Sequence, residues 1–139
     1  TTPRIMAWML DEYEKLVGEH APGMITGKPI SLGGSKGRGT ATAQGGVYVL
    51  QVILEKLGKA PSDVTVAVQG FGNAGAHAAE LLHSLGCKIV AVSDSRSGVV
   101  AGPGARLQIP ELVIHKEKTN SVAGFPGASA VTNAELLEL

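Results

Sequence analysis

Three glycines and one aspartate have the types and the spacing needed to hold a dinucleotide. Gly70, Gly72 and Gly75 form a G-x-G-x-x-G run directly after a short β-branched stretch, residues 64–69. In a dinucleotide site the first glycine permits a sharp turn, the second lets the backbone approach a pyrophosphate, and the third lets the following helix pack close to the strand. Asp94 follows Gly75 by about 20 residues, the spacing at which an acid reaches the ribose 2′-hydroxyl of NAD.

The elements around the glycines agree with this interpretation. Residues 64–69 are typical of a strand that is buried on both faces, residues 73–85 of a helix, and residues 88–93 of a second strand that ends at Asp94. Together they predict a βαβ unit whose helix N-terminus would receive the phosphates. The structural alternative is a βαβ unit with a tight turn and a solvated aspartate. A methyltransferase-type site is disfavoured, because the third glycine stands where close helix packing under a pyrophosphate requires it.

Composition is that of a globular α/β protein and excludes several other classes. The chain has 139 residues, 44% of them hydrophobic and 17% charged, and its formal net charge is zero. This balance implies no nucleic-acid partner and no membrane partner, and the absence of a signal-peptide pattern predicts a cytoplasmic protein. The single cysteine, Cys87, is expected to be a small buried hydrophobe, and no histidine or cysteine spacing predicts a metal site.

A helix is predicted at the start of the chain, from Pro3 to Val17, with Thr2 as its cap. Its wide apolar stripe needs a partner, and Trp8 and Tyr13 are expected to be core residues. Beyond Asp94 the pattern is weaker. Gly98 and the glycines and proline of residues 102–104 predict loop, residues 109–118 a helix with a solvated face at 115–118, and residues 132–135 a capping box.

A second group of candidate binding residues lies in and after a long glycine-rich loop, residues 21–46. A helix is expected to begin at residue 40 or 41 and to end at residue 57. Arg38 and Thr42 are four residues apart, so they are predicted to share one face of its first turn. Because helix N-termini favour anions, an arginine and a hydroxyl at this position suit a phosphate or a carboxamide.

Several stretches of the chain resemble glutamate dehydrogenase. They are the residues TPRIMAWMLDEY at 2–13, TGKP at 26–29, LGGS at 32–35, GR at 37–38 with AT at 41–42, and QGFGN at 69–73. The similarity extends over essentially the whole chain, including VAGFPG at 122–127. It is more specific than a glycine fingerprint alone. Dehydrogenases that act on leucine, phenylalanine or valine share the fold but resemble residues 26–42 less well.

The resemblance implies oxidative deamination of L-glutamate to 2-oxoglutarate and ammonia, with NAD or NADP as the cofactor. It implies an α/β fold, a partial Rossmann-type doubly wound parallel sheet preceded by a helix from the substrate domain. Residues 1–35 would be the tail of the substrate domain and a hinge, and residues 36–139 an NAD(P)-binding domain that is incomplete at its C-terminus. A homo-oligomer, a hexamer in this family, is expected. The family's catalytic lysine and aspartate match nothing here, so the chain alone is expected to be inactive.

The predicted site is therefore a cofactor site without catalytic or metal-binding residues. Its members are Arg38, Thr42, Gly70, Phe71, Gly72, Asn73, Ala74, Gly75, Asp94 and Ser95. The acid favours NAD, whereas Ser95 and Arg96 suit a 2′-phosphate, so the choice between NAD and NADP stays open. Two other functions stay open as well: another amino-acid dehydrogenase, and a nucleotide-binding module without chemistry.

Overall fold

The structure is a computed structural model that describes residues 2–139, and the chain divides into two compact units. The first unit extends to Thr42, and the second is Ala43–Leu139. This division lies seven residues beyond the boundary predicted at residues 35 and 36. The assignment of residues 1–35 to a substrate domain stays a prediction.

The first unit contains helix α1, Pro3–Val17, and the glycine-rich loop. Thr2 caps α1 by accepting a hydrogen bond from the Ile5 N–H at 3.4 Å, and Gly18 ends it in a left-handed conformation. Leu10 is buried, but most of the apolar stripe faces solvent. The prediction that Trp8 and Tyr13 are core residues is therefore wrong, since their exposed fractions are 59% and 37%.

The second unit contains the sheet and the remaining helices. Helix α2 begins at the end of the first unit and continues into the second. In chain order the elements are α2 (Ala41–Lys56), β1 (Thr65–Gln69), α3 (Asn73–Ser84), β2 (Lys88–Ser93), β3 (Gly98–Ala101), α4 (Ile109–Thr119), β4 (Ala128–Val131) and α5 (Asn133–Leu136).

The four strands form one mixed sheet in the order β1-β2-β3-β4. β1 and β2 are parallel, and β3 is antiparallel to both β2 and β4. Strands β1, β2 and β4 therefore run in one direction, and β3 runs in the opposite direction. The predicted α/β class is confirmed, but the sheet is not parallel throughout. Gly98 was predicted to be loop and instead begins β3. A Cβ on it would lie 2.8 Å from the Val131 carbonyl oxygen, so a glycine permits the close approach of β4.

β1 differs from the predicted strand because it is not buried on both faces. It is an edge strand, and its residues alternate between exposed and half-buried. β2 is more deeply buried, and Ile89 and Val92 are fully inside. α3 packs against β1, β2 and α4. The largest buried side chains of the resulting core are Phe71, Ile89, Ile109, Leu112, Val92, Val99 and Val122.

Residues 2–139 lack two kinds of feature. None of the helices in this range has the length and the apolar character needed to cross a membrane. Over the same residues, no three His, Cys, Asp or Glu side chains come together in a way that could hold a metal ion.

Candidate functional site: a glycine-rich turn at the sheet edge

The candidate site lies where the carboxyl ends of the three strands with the same direction, β1, β2 and β4, meet. Gln69 at the end of β1 is in register with Ser93 at the end of β2. Ser93 is in register with Gly98, the first residue of β3, and Gly98 with Val131, the last residue of β4. In open α/β sheets ligands bind outside the carboxyl ends of the strands. The glycine-rich turn and Asp94 both follow strands that end at this edge.

The glycine-rich turn is fixed to β2 by its backbone. The N–H groups of Gly70 and Phe71 both donate to the Ser93 carbonyl oxygen, at 2.8 and 2.6 Å. Gly70 has a φ of +91°, in the region that favours glycine. A Cβ on Gly75 would lie 1.9 Å from the Gly70 carbonyl oxygen, so only glycine lets the first turn of α3 lie this close to the end of β1. The backbone geometry alone thus explains why the first and third positions of the motif are glycine.

Gly72 occupies the position that faces a ligand in a dinucleotide site. It is the N-cap of α3, with ordinary extended backbone angles, and a Cβ built on it would meet no heavy atom within 4 Å. As a glycine, Gly72 has no side chain that could cap the helix by a hydrogen bond, and the first turn contains no acidic residue. The positive end of α3 and the open space at Gly72 therefore fit a pyrophosphate. Phe71 is buried in the core, while Asn73 and Ala74 begin the helix at the surface.

Asp94 is held from inside the protein. One carboxylate oxygen accepts hydrogen bonds from the N–H groups of Arg96 and Ser97, at 2.9 and 3.0 Å, and the other from the N–H of Val122, at 3.0 Å. The residue is only 8% exposed. These contacts close the turn between β2 and β3 and attach it to the segment that precedes β4. Contact of this carboxylate with a ribose stays a prediction, and the structure adds an internal role that the sequence did not predict.

The same contacts explain an unusually acidic carboxyl group. Burial by itself raises the pKa of Asp94, but the N–H groups of Arg96, Val122 and Ser97 favour the carboxylate, and the Lys116 ammonium adds to their effect. Together they lower the pKa from 3.8 to about 2.

Acid is therefore expected to weaken the fold through Asp94. Because the folded-state pKa lies below the ordinary value, this stabilisation is complete above about pH 4 and is lost as the pH falls to about 2. The loss should be about 2 kcal/mol in the free energy of unfolding. Urea unfolding at a series of pH values measures it, and Asp94→Asn should be less stable at neutral pH but less sensitive to acid. Equal acid sensitivity of the two proteins would contradict this assignment.

Two polar residues at the tip of the β2–β3 turn remain accessible. Ser95 and Arg96 are both exposed. Arg96 also lines a cleft of about 320 Å³, together with Ser97, Gly98, residues 123–124 and 130–133, and Glu135. The tip therefore presents a hydroxyl and a guanidinium group beside the end of β2.

Lys116 is the residue at this site that the sequence interpretation missed. Residues 115–118 were predicted to form a solvated face of α4, but the Lys116 side chain is only 24% exposed. Its ammonium donates a hydrogen bond to the Phe71 carbonyl oxygen and lies 3.7 Å from an Asp94 carboxylate oxygen. The signal was in the helix periodicity, since Lys116 follows the buried residues Ile109 and Leu112 at the spacing of one helix face.

Arg38 and Thr42 belong to the first unit. Thr42 lies in the first turn of α2, whereas Arg38 precedes the helix, in a turn where its N–H donates to the Ser35 carbonyl oxygen at 3.3 Å. They therefore do not share a helical turn as predicted. Arg38 lines a cleft of about 380 Å³ within the first unit, together with Lys28, Ser35 and the glycines of the loop. The roles of Arg38 and Thr42 in cofactor binding stay predictions.

Comparison with known proteins places the chain in a family. Residues 33–139 match the model of the glutamate/leucine/phenylalanine/valine dehydrogenase family. The chain is 45% identical to glutamate dehydrogenase of Thermotoga maritima in an alignment of 140 positions that covers all of this chain and 33% of that protein. It is 40% identical to NADP-specific glutamate dehydrogenase of Synechocystis sp. in an alignment of 148 positions that covers all of this chain and 34% of that protein.

The fold of a solved structure agrees with these matches. The leucine-bound hetero-hexameric glutamate dehydrogenase of Thermus thermophilus superposes with a TM-score of 0.86 at 34% identity, covering 99% of this chain and 32% of that one. The chain thus spans about a third of the length of each of these relatives. Sequence and fold lead to the same conclusion: the chain belongs to the glutamate/leucine/phenylalanine/valine dehydrogenase family.

Proposed function

We propose that this chain is the cofactor-binding portion of a glutamate dehydrogenase and that it binds NAD or NADP at the glycine-rich turn. The observation that carries the proposal is the open space at Gly72, the residue that begins a helix whose close packing on the end of β1 requires glycine at position 75. This arrangement gives a pyrophosphate access to backbone N–H groups without a side chain between them.

Different residues of the chain would contact different parts of the cofactor. Residues 70–75 would hold the pyrophosphate, and the β2–β3 turn, with Asp94 and Ser95, would border the ribose of the adenosine. Arg38 and Thr42 would line the cofactor site as well, as the family resemblance implies. A bound nicotinamide would supply the acceptor for the hydride that leaves the substrate. The chain's own part is to bind and orient the cofactor, because no lysine or carboxylate in it has a motif for proton transfer.

In the complete protein, the reaction we propose is oxidative deamination of L-glutamate to 2-oxoglutarate and ammonia. Support comes from the two relatives named glutamate dehydrogenase, at 45% and 40% identity.

Assembly into an oligomer belongs to the same proposal, since the similar Thermus thermophilus enzyme is hetero-hexameric. An exposed apolar stretch on α2 and just beyond its end suits further packing; it consists of Tyr48, Val49, Val52, Ile53 and Leu57.

The proposed reaction is tested by assaying the full-length protein that carries this sequence. Glutamate should support reduction of NAD or NADP, and at least about tenfold faster, in kcat/KM, than leucine, valine or phenylalanine. The isolated 139-residue chain is expected to show no glutamate-dependent reduction. A preference for one of the other three amino acids would assign the protein to another member of the family. Cofactor binding without any dehydrogenase activity would favour a nucleotide-binding module instead.

A further inference from the structure

Lys116 joins two parts of the candidate site through one ammonium group. It stands in the last turn of α4, and it donates a hydrogen bond to the carbonyl oxygen of Phe71, the residue between the first two glycines. The same nitrogen lies 3.7 Å from an oxygen of Asp94 and 5.6 Å from the centroid of the Phe71 ring. A residue of α4 thus contacts both the glycine-rich turn and the acid that follows β2.

The hydrogen bond to Phe71 matters because the next residue, Gly72, has no side chain with which to anchor itself. Phe71 is 1% exposed, and its backbone N–H donates to the Ser93 carbonyl oxygen at 2.6 Å. Its carbonyl group is the third point of attachment, and Lys116 holds it. The path of the backbone at Gly72, and hence the direction of the first N–H groups of α3, therefore depends on how Phe71 is held.

Asp94 keeps the ammonium group in place. Its carboxylate is itself fixed by the N–H groups of Arg96, Ser97 and Val122, so it cannot swing away without losing hydrogen bonds. A lysine side chain between a fixed carboxylate and a carbonyl oxygen has two partners and little freedom. This is a structural reason for a charged residue on the buried face of α4.

We propose that Lys116 is a positioning residue for cofactor binding: held by Asp94, it fixes the Phe71 carbonyl group and so sets the shape of the glycine-rich turn that receives the pyrophosphate. The inference rests on the proposed function for the identity of the ligand. Asp94 then contributes to cofactor binding through Lys116 in addition to any direct contact. Lys116 does not itself bind the phosphates, since its ammonium is already engaged by the carbonyl and carboxylate oxygens.

The test compares three variants of the full-length protein. Lys116→Met removes the ammonium but keeps a long apolar stem, and Lys116→Gln removes the charge but keeps an N–H donor on a slightly shorter side chain. Lys118→Met is the matched control, because Lys118 is an exposed lysine two residues further along the same helix. NADH and NADPH affinities are measured by fluorescence titration at several salt concentrations. Hydrogen exchange of residues 70–76 is followed in the cofactor-free proteins.

Lys116→Met should weaken the binding of the preferred cofactor by about tenfold, the effect of losing one hydrogen bond to a charged group. Lys116→Gln should lose less, and Lys118→Met should match the wild type. Exchange at residues 70–76 should be fastest in Lys116→Met, intermediate in Lys116→Gln and unchanged in Lys118→Met. The dependence of affinity on salt concentration should have the same slope in Lys116→Met as in the wild type. Removing a residue that bound phosphate directly would make this slope smaller, because one salt-screened charge interaction with the cofactor would be lost.

Other results overturn the inference. If wild type and Lys116→Met bind with equal affinity and exchange equally, Lys116 does not position the turn. If affinity falls together with the salt slope while exchange stays unchanged, Lys116 is a direct phosphate ligand instead. Failure of the wild type to bind either cofactor overturns the proposed function separately. The exchange measurement still decides whether Lys116 fixes the turn, and Lys116→Gln serves if Lys116→Met does not fold.

Discussion

Gly75→Ala is expected to destabilise the second unit by about 3 kcal/mol, the upper end of the usual cost of forcing extra atoms into a packed site. The added Cβ would lie 1.9 Å from the Gly70 carbonyl oxygen and 3.4 Å from a methyl carbon of Val68. The first of these contacts is with backbone, which cannot rotate away as a side chain can. α3 would therefore have to move off the end of β1, and the turn that carries Phe71 and Gly72 would be distorted.

Chemical denaturation of the variant measures this effect, and Gly45→Ala is its control. Gly45 lies inside α2, and a Cβ built on it meets no heavy atom within 4 Å. The same substitution there should raise the stability by about 0.5–1 kcal/mol, because alanine favours the helix over glycine. Equal stability changes in the two variants would show that α3 does not lie as close to β1 as the structure has it.

Gly72→Val is expected to have the opposite pattern, with a large effect on binding and a small one on folding. The Gly72 backbone has φ of −91° and ψ of −159°, extended angles that suit a β-branched residue, and the new side chain would enter open space. Thermal unfolding should therefore stay within a few degrees of the wild type. The side chain would occupy the space that a pyrophosphate needs, so NAD(P)H affinity should fall by at least about tenfold.

Local patterns predicted much of the second unit. The strand, glycines, helix and second strand between residues 64 and 93 lie within a residue or two of their predicted bounds, because each is specified by neighbours in sequence. The capping box at Thr132 and Glu135 is confirmed for the same reason. The roles of Gly70 and Gly75 could also be predicted, since a sharp turn and a close helix approach leave few alternatives to glycine.

Features that depend on distant residues could not be predicted. Gly98 looked like loop because its reason for being glycine is the approach of Val131 from β4, which is not visible in sequence. Asp94 looked like a ligand-facing acid, and its internal donors include the Val122 N–H, supplied from far along the chain. The charge of Lys116 suggested solvent, whereas its partners, Phe71 and Asp94, lie on other elements. In each case tertiary contacts decide the environment.

The most direct test of this account is a titration of the wild type and Gly72→Val with NADH and with NADPH, alongside thermal unfolding of both proteins. We predict that the wild type binds at least one of the two cofactors. Gly72→Val should bind it at least about tenfold more weakly while unfolding at nearly the same temperature. Equal affinity in two equally folded proteins would contradict the claim that the glycine-rich turn receives the pyrophosphate.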